Sequence, residues 1–151
     1  MPGSGTTTPT KLLDFCYAQA ATLPTLVCSE GKRRLAESEN LENLVRALPP
    51  QARGYLGAWI EETQRGNVTN PGEIVIQGLL LVRVSKDVTS DMVVAYDLVE
   101  AVAQLWGDES TLAIVGSQRP DRLRWTQVGD NLEDDVVGFE ITARYKWIGC
   151  G

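Results

Sequence analysis

The chain has 151 residues, 43% of them hydrophobic, with no histidine, three cysteines and a net charge of −6. That length suits one domain with one core, and no apolar run reaches the length of a membrane span. The acidic balance argues against a nucleic-acid-binding module, which needs a basic surface, and the lack of histidine removes the commonest general base and the commonest zinc ligand.

The acid is unevenly placed. Residues 1–57 carry six basic and five acidic groups, whereas residues 58–151 carry eight basic and fifteen acidic. Cys16, Cys28 and Cys150 are widely spaced and form no Cys-x-x-Cys pair, so they read as buried or idle thiols rather than a zinc site.

Residues 1–10 are rich in Gly, Ser, Thr and Pro and lack a basic region followed by an apolar segment. They read as a flexible arm and not as a secretion signal, leaving 11–151 as a single domain. Residues 11–22 then predict a helix, with Leu12, Phe15, Cys16 and Gln19 on one stripe and Leu13, Tyr17 and Ala20 beside it; Pro24 stops it. A short apolar run at 26–28 suits a strand. Residues 38–48 predict a second, short helix, capped by Ser38 and ended by Pro49 and Pro50, with Leu41, Leu44, Val45 and Leu48 at helical spacing. At 54–62 Leu56, Trp59 and Ile60 fit a helix, while Leu56, Ala58 and Ile60 fit a strand. Gly54 and Gly57 weaken a helix and the aromatic content favours the strand.

Residues 65–72 hold Gly66, Asn67, Asn70, Pro71 and Gly72 and read as the loop of a hairpin. The polar stretch from 63 to 72 exceeds what closure alone requires, so it is expected to project as a mobile hairpin tip. The next strand, 74–84, is apolar on both faces except at Gln77 and Arg83, and so requires cover on both. A helix at about 91–106 supplies one cover through Val94, Leu98, Ala101, Val102 and Leu105, with Thr89 or Ser90 at its N-cap and Gly107 in a left-handed position at its end. The second cover is expected from the N-terminal helix or another subunit. Residues 112–115 read as a short strand, 117–121 as a turn, and 122–128 as a strand with Leu123 and Trp125 on one face. The closing strand, 136–148, alternates cleanly: Val137, Phe139, Ile141, Ala143, Tyr145 and Trp147 point one way, and Glu140, Thr142, Arg144 and Lys146 the other.

Short connections between consecutive strands imply antiparallel hairpins. The expected product is an α+β domain: an antiparallel sheet of four to five strands with helices packed mainly on one face.

No phosphate loop, nucleophile triad or metal-ligand spacing is present, and no cofactor is expected. Gly3 and Gly5 lack the strand before and helix after that a phosphate loop needs. Glu61 and Glu62 precede a polar loop and read as a solvated loop end with no acid-base partner. Asp130, Glu133, Asp134 and Asp135 make the densest acidic cluster, but without the alternating ligands and closing Glu of a calcium loop. Arg119, Arg122 and Arg124 form a basic patch suited to acidic groups of this chain or of a neighbour. Trp125, Tyr145 and Trp147 fall on the apolar side of the closing strands, which suits packing better than ligand binding.

The order of elements resembles the tail terminator and neck proteins of long-tailed bacteriophages. The resemblance is carried by the strand at 73–84 running into Ser85, Lys86 and Asp87, by the helix at 90–106, and by the closing hairpin at 122–148 with its return strand at 136–142. It covers about two-thirds of the chain. It implies a structural virion protein rather than an enzyme. Such a protein would form a homo-oligomeric ring, a hexamer in that family, cap the tail tube, stop its polymerisation and present a joining surface to the head connector or neck protein. It would assemble in the host cytoplasm and reside in the virion, with DNA passing through its lumen unbound. The acidic excess suits such a lumen. Interface residues on this reading are Arg65, Asn67 and Asn70 in the hairpin loop, Arg119, Arg122 and Arg124 in the basic patch, and Glu133, Asp134 and Asp135 in the acidic cluster. Two alternatives stay open: a head-completion or neck adaptor protein, and a cytosolic small-ligand-binding regulatory domain.

Overall fold

The computed structural model describes residues 7–28, 41–66, 69–84, 89–128 and 135–147. The elements are α1 (Pro9–Ala20), β1 (Leu26–Cys28), α2 (Leu41–Arg46), β2 (Gly54–Gln64), β3 (Gly72–Arg83), α3 (Thr89–Trp106), α4 (Glu109–Ile114), β4 (Arg122–Val128) and β5 (Val136–Trp147). The fold is α+β. Thr89 and Ser90 are the first two residues of α3, and their side chains, like Ser38, the segment 85–87, Cys150 and the glycines of the first residues, lie outside what the structure describes.

Five strands form one sheet in the order β1-β2-β3-β5-β4. β2–β3 and β4–β5 pair antiparallel, as hairpin-length connections require, and β5 returns beside β3 antiparallel after α3, α4 and β4. β1 pairs parallel with β2, Leu26 against Gly54 through Cys28 against Leu56, so the sheet is mixed. The parallel pairing follows from the chain between them, which carries α2 and is long enough for a crossover.

One face of the sheet carries the main core. Ile74, Ile76, Leu80 and Val82 of β3 and Val137, Phe139, Ile141, Ala143 and Tyr145 of β5 are buried there with α1 and α3. Alternation of burial on β5 holds from Phe139 to Tyr145, where only one face meets those helices, whereas Val136 to Gly138 at its start are buried on both faces. The opposite face is covered at one end by α2. Val45, Leu81 and Val136 form a second, smaller cluster, with Leu48 and Leu79 packed against it. The Arg83 guanidinium donates to the carbonyls of Val45 (2.9 Å) and Leu48 (3.1 Å) at the end of α2. The Val45 carbonyl also accepts from Leu48 N–H at 3.1 Å in the turn that ends α2, and a cation suits a helix C-terminus. The second cover of β3 is therefore α2; α1 lies on the same face as α3.

The buried face of α3 is rotated from the expected one. Ala95, Leu98, Val99, Val102, Ala103 and Trp106 are buried, whereas Val94 is 40% exposed and Ala101 and Leu105 are half-buried. The anchor that turns the helix is Trp106. It is fully buried, its Nε1–H donates to the carbonyl of Cys16 at 3.0 Å, and its ring lies over Gly78. A Cβ at position 78 would sit 2.7 Å from that ring, so glycine in β3 is the space the indole occupies. Gly107 is not left-handed: its backbone donates to Ala103, and a Cβ there would crowd Leu123 at 3.0 Å.

Residues 112–115 are helical rather than extended. Asp108 stands at the N-cap of α4 and Gly116 follows its end with φ of 79°. Gly116 N–H donates to Ala113 and Ser117 N–H to Leu112, the paired bonds that close a helix on a left-handed residue. Those two residues define a one-and-a-half-turn helix that four apolar letters alone disguise as a strand.

Candidate functional site

The hairpin loop is shorter than its composition suggests. Thr63 and Gln64 pair with Ile74 and Glu73 inside the β2–β3 ladder, after an irregularity between Ile60 and Glu62. The tip is residues 65–71, not 63–72. It is pinned where Gly66 and Gly72 meet so closely that a Cβ on either would collide with backbone. Arg65 does not point away from the domain. Its guanidinium lies over the ring of Trp147, 5.8 Å from the centroid. Trp147 in turn donates from Nε1 to the carbonyl of Thr7, so the tip, the end of β5 and the start of α1 meet at one end of the sheet.

The sheet register divides the expected interface residues between two ends. Arg65, Asn70 and Arg122 lie at the hairpin-tip end, because Gly72 pairs with Trp147 and Arg122 pairs with Arg144. Arg124 is two residues further along β4, and exposed Arg119 precedes that strand. Asp135 lies at the opposite end, before β5. It accepts from two of the three Arg46 guanidinium nitrogens, Nη2 at 3.0 and Nε at 3.2 Å, which fastens α2 to the start of β5 and holds the Asp135 carboxyl below its usual range. Asp135 thus has a partner within the fold. Asn67, Glu133 and Asp134 lie outside the described residues, as does Asp130.

Beyond α2, the outward face of the sheet carries polar and charged side chains: Trp59 and Glu62 on β2, Glu73 and Gln77 on β3, Glu140, Thr142, Arg144 and Lys146 on β5, and Arg122, Arg124 and Thr126 on β4. Arg144 pairs with Glu73 at 2.8 Å and Lys146 with Asp121 at 3.8 Å. Arg119, Arg122 and Arg124 make no ion pair among the described residues, nor does Glu62. Glu61 and Glu62 are strand residues at the irregularity of β2, and Glu61 accepts from Trp59 Nε1 at 2.6 Å.

Two features escaped sequence reading. Tyr17 of α1 places its hydroxyl on the outer edge of β2, accepting from Ala58 N–H at 2.8 Å and donating to Ala58 C=O at 2.9 Å. It occupies the backbone groups a further strand residue would otherwise satisfy. The second is a buried relay. Tyr145 Oη donates to the Trp106 carbonyl at 2.7 Å, which leaves the Cys16 thiol, 4.0 Å away, to donate to Tyr145. Burial pushes the Cys16 and Tyr145 groups well above their usual ranges. Both stay protonated, so this is a structural network and not a nucleophile with its base. Of the three aromatics noted in the closing strands, Tyr145 is fully buried. Trp125 packs edge-on against Phe139 and stacks on Tyr96, and its Nε1 donates to Glu100.

An open, mainly apolar groove of about 400 Å³ runs between α1 and α4, lined by Phe15, Ala18, Ile114 and Val115 with Lys11 and Asp14 at its rim. Ile114 is 82% exposed. Among the described residues no three His, Cys, Asp or Glu side chains come together as a metal site, and no helix is long and apolar enough to cross a membrane. No protein-family model matches the chain, and no curated protein sequence matches it.

Proposed function

We propose that this chain is a structural protein of a long-tailed bacteriophage particle, a ring-forming subunit that caps the tail tube, stops its polymerisation and offers the joining surface for the head side. The observation that carries this reading is the arrangement of the β2–β3 hairpin, α3 and the β4–β5 hairpin in one sheet whose outward face is left open beyond α2. Among the described residues that face is uncovered and its Arg122 and Arg124 are unpaired, which offers a neighbouring subunit a surface to cover. The acidic excess of residues 58–151 supports a lumen that DNA crosses without adhering, since like charge keeps the phosphate backbone off the wall.

The test has two stages. Light scattering on the purified protein should return a closed oligomer several times the monomer mass. Added to polymerising tail-tube subunits, that oligomer should arrest growth, and labelled protein should be found by electron microscopy at the head-proximal end of the tail. Binding to the head vertex alone would assign it instead to head completion. A second reading rests on the α1–α4 groove, whose apolar lining would accept a small apolar ligand. A monomer or dimer that retains such a ligand, and leaves tail growth unaffected, would replace the virion role with that one.

A further inference from the structure

We infer that neighbouring copies of this chain join edge to edge, with β4 of one protomer beside the far half of β2 of the next, and that Arg122 of the first meets Glu62 of the second. This rests on the ring reading above and names the surface that would build the ring. Two strand edges are unpaired among the described residues. One is the outer edge of β4, the last strand of the sheet. The other is the outer edge of β2 beyond Ala58: β1 covers only Gly54 to Leu56, and the Tyr17 hydroxyl covers Ala58. Unpaired edges are templates for another strand. Because β2, β3, β5 and β4 alternate in direction, β4 and β2 run oppositely, and copies laid side by side continue the sheet antiparallel.

The register carries the proposal. Arg122 lies opposite Arg144, Arg144 opposite Val75, and Val75 opposite Glu62. Glu62 and Arg122 are therefore the two ends of one row, on the same face and at the same height. A neighbour placed without any shift along the strands brings them together. Arg144 is already satisfied by Glu73 at 2.8 Å, so Arg122 faces a like charge across the ladder, with no carboxylate of its own among the described residues. Like charges directly opposite are unfavourable, and a carboxylate beyond the edge relieves that. One row further along β4, Arg124, Thr142, Gln77 and Trp59 align in the same way, which sets a second unpaired arginine beside an aromatic ring of the next copy. Such a contact uses different surfaces on its two sides, so it repeats around a ring instead of closing as a two-fold dimer.

Charge exchange on the full chain tests this, with solution mass as the readout. Arg122→Glu alone and Glu62→Arg alone should each fall from the ring to the monomer mass of 16.5 kDa. Mixing the two variants should restore the ring, since every junction in an alternating ring is then complementary. Restoration also shows that both variants are folded. Wild-type rings with both single variants still at ring mass would overturn the edge contact and leave the ring reading standing. Single variants that stay monomeric when mixed would overturn the Arg122–Glu62 pairing. A wild-type monomer would overturn the edge contact and the ring together.

Discussion

At the scale of single residues, the interior is arranged around Trp106. Gly78 admits its ring, the Cys16 carbonyl takes its N–H, and its own carbonyl takes the Tyr145 hydroxyl. Gly78→Ala should therefore cost about 1–3 kcal/mol in denaturant unfolding, the usual penalty for overfilling a packed core. Tyr145→Phe should cost about 1–3 kcal/mol, because a buried carbonyl loses its donor. Burial also sets thiol behaviour. Cys28 is only half-buried and should react with a thiol reagent in the native protein, whereas Cys16 should react only on unfolding. Labelling of Cys16 at the same rate as Cys28 would contradict that burial. Asp108 adds a pH dependence of defined sign. Its carboxylate accepts from Thr111 and Ser110 hydroxyls, which lowers it from the ordinary 3.8. The contribution is fully present above that value and is lost as pH falls through the lowered folded one, so the part of the acid limb that Asp108 contributes lies below about pH 4. Asp108→Asn should flatten that limb, as followed by circular dichroism.

At the scale of elements, the helices are placed by residues at their ends. α1 is capped by Thr8, whose hydroxyl accepts from Lys11 N–H at 3.2 Å, and opens on Pro9. α4 depends on Gly116. Gly116→Ala forces a side chain into left-handed backbone and should cost about 1–2 kcal/mol. If residues 112–115 were a strand instead, that substitution would have little effect on stability. The face of α3 gives a paired measurement. Leu98→Ala should destabilise by about 2–5 kcal/mol, as truncation of a buried leucine does, while exposed Val94→Ala should stay within about 0.5 kcal/mol. Equal losses at the two positions would restore the face read from periodicity alone. That face was off because five apolar residues at helical spacing occupy more than one stripe of α3. Val93, Val94 and Tyr96 are apolar and yet exposed, and only the position of Trp106 over Gly78 selects among the stripes.

At the scale of the whole molecule, the sheet is a charged plate with α1, α3 and α4 on one side and α2 across one end of the other. Its hairpin tip is held back by the Arg65–Trp147 contact rather than extended. Replacing residues 66–71 with an Asn-Gly turn should leave the fold intact, since the ladder already closes at Gln64 and Glu73. On the proposed function it should remove the ability to arrest tail-tube growth while leaving ring mass unchanged. Arrest of tubes at normal length by the shortened protein would show that the tip is not a contact surface.

Much of this was legible in the chain as letters. The α+β class, both hairpins, the strand at β2 and the alternation of β5 follow from local periods, turn residues and connection lengths, each of which acts within about ten residues. That Arg122 and Arg124 share a face was legible too, because they lie two residues apart in a strand. What tertiary structure alone decided depends on groups brought together from distant positions. The rotation of α3 depends on Gly78 and Cys16, the second cover of β3 on Arg83 and α2, the capping of the Ala58 backbone on Tyr17, and the row joining Glu62 to Arg122 on the register of four strands. Side-chain period in a strand is two residues, so composition can say that a strand has two faces; only the pairing of strands says which charges share one.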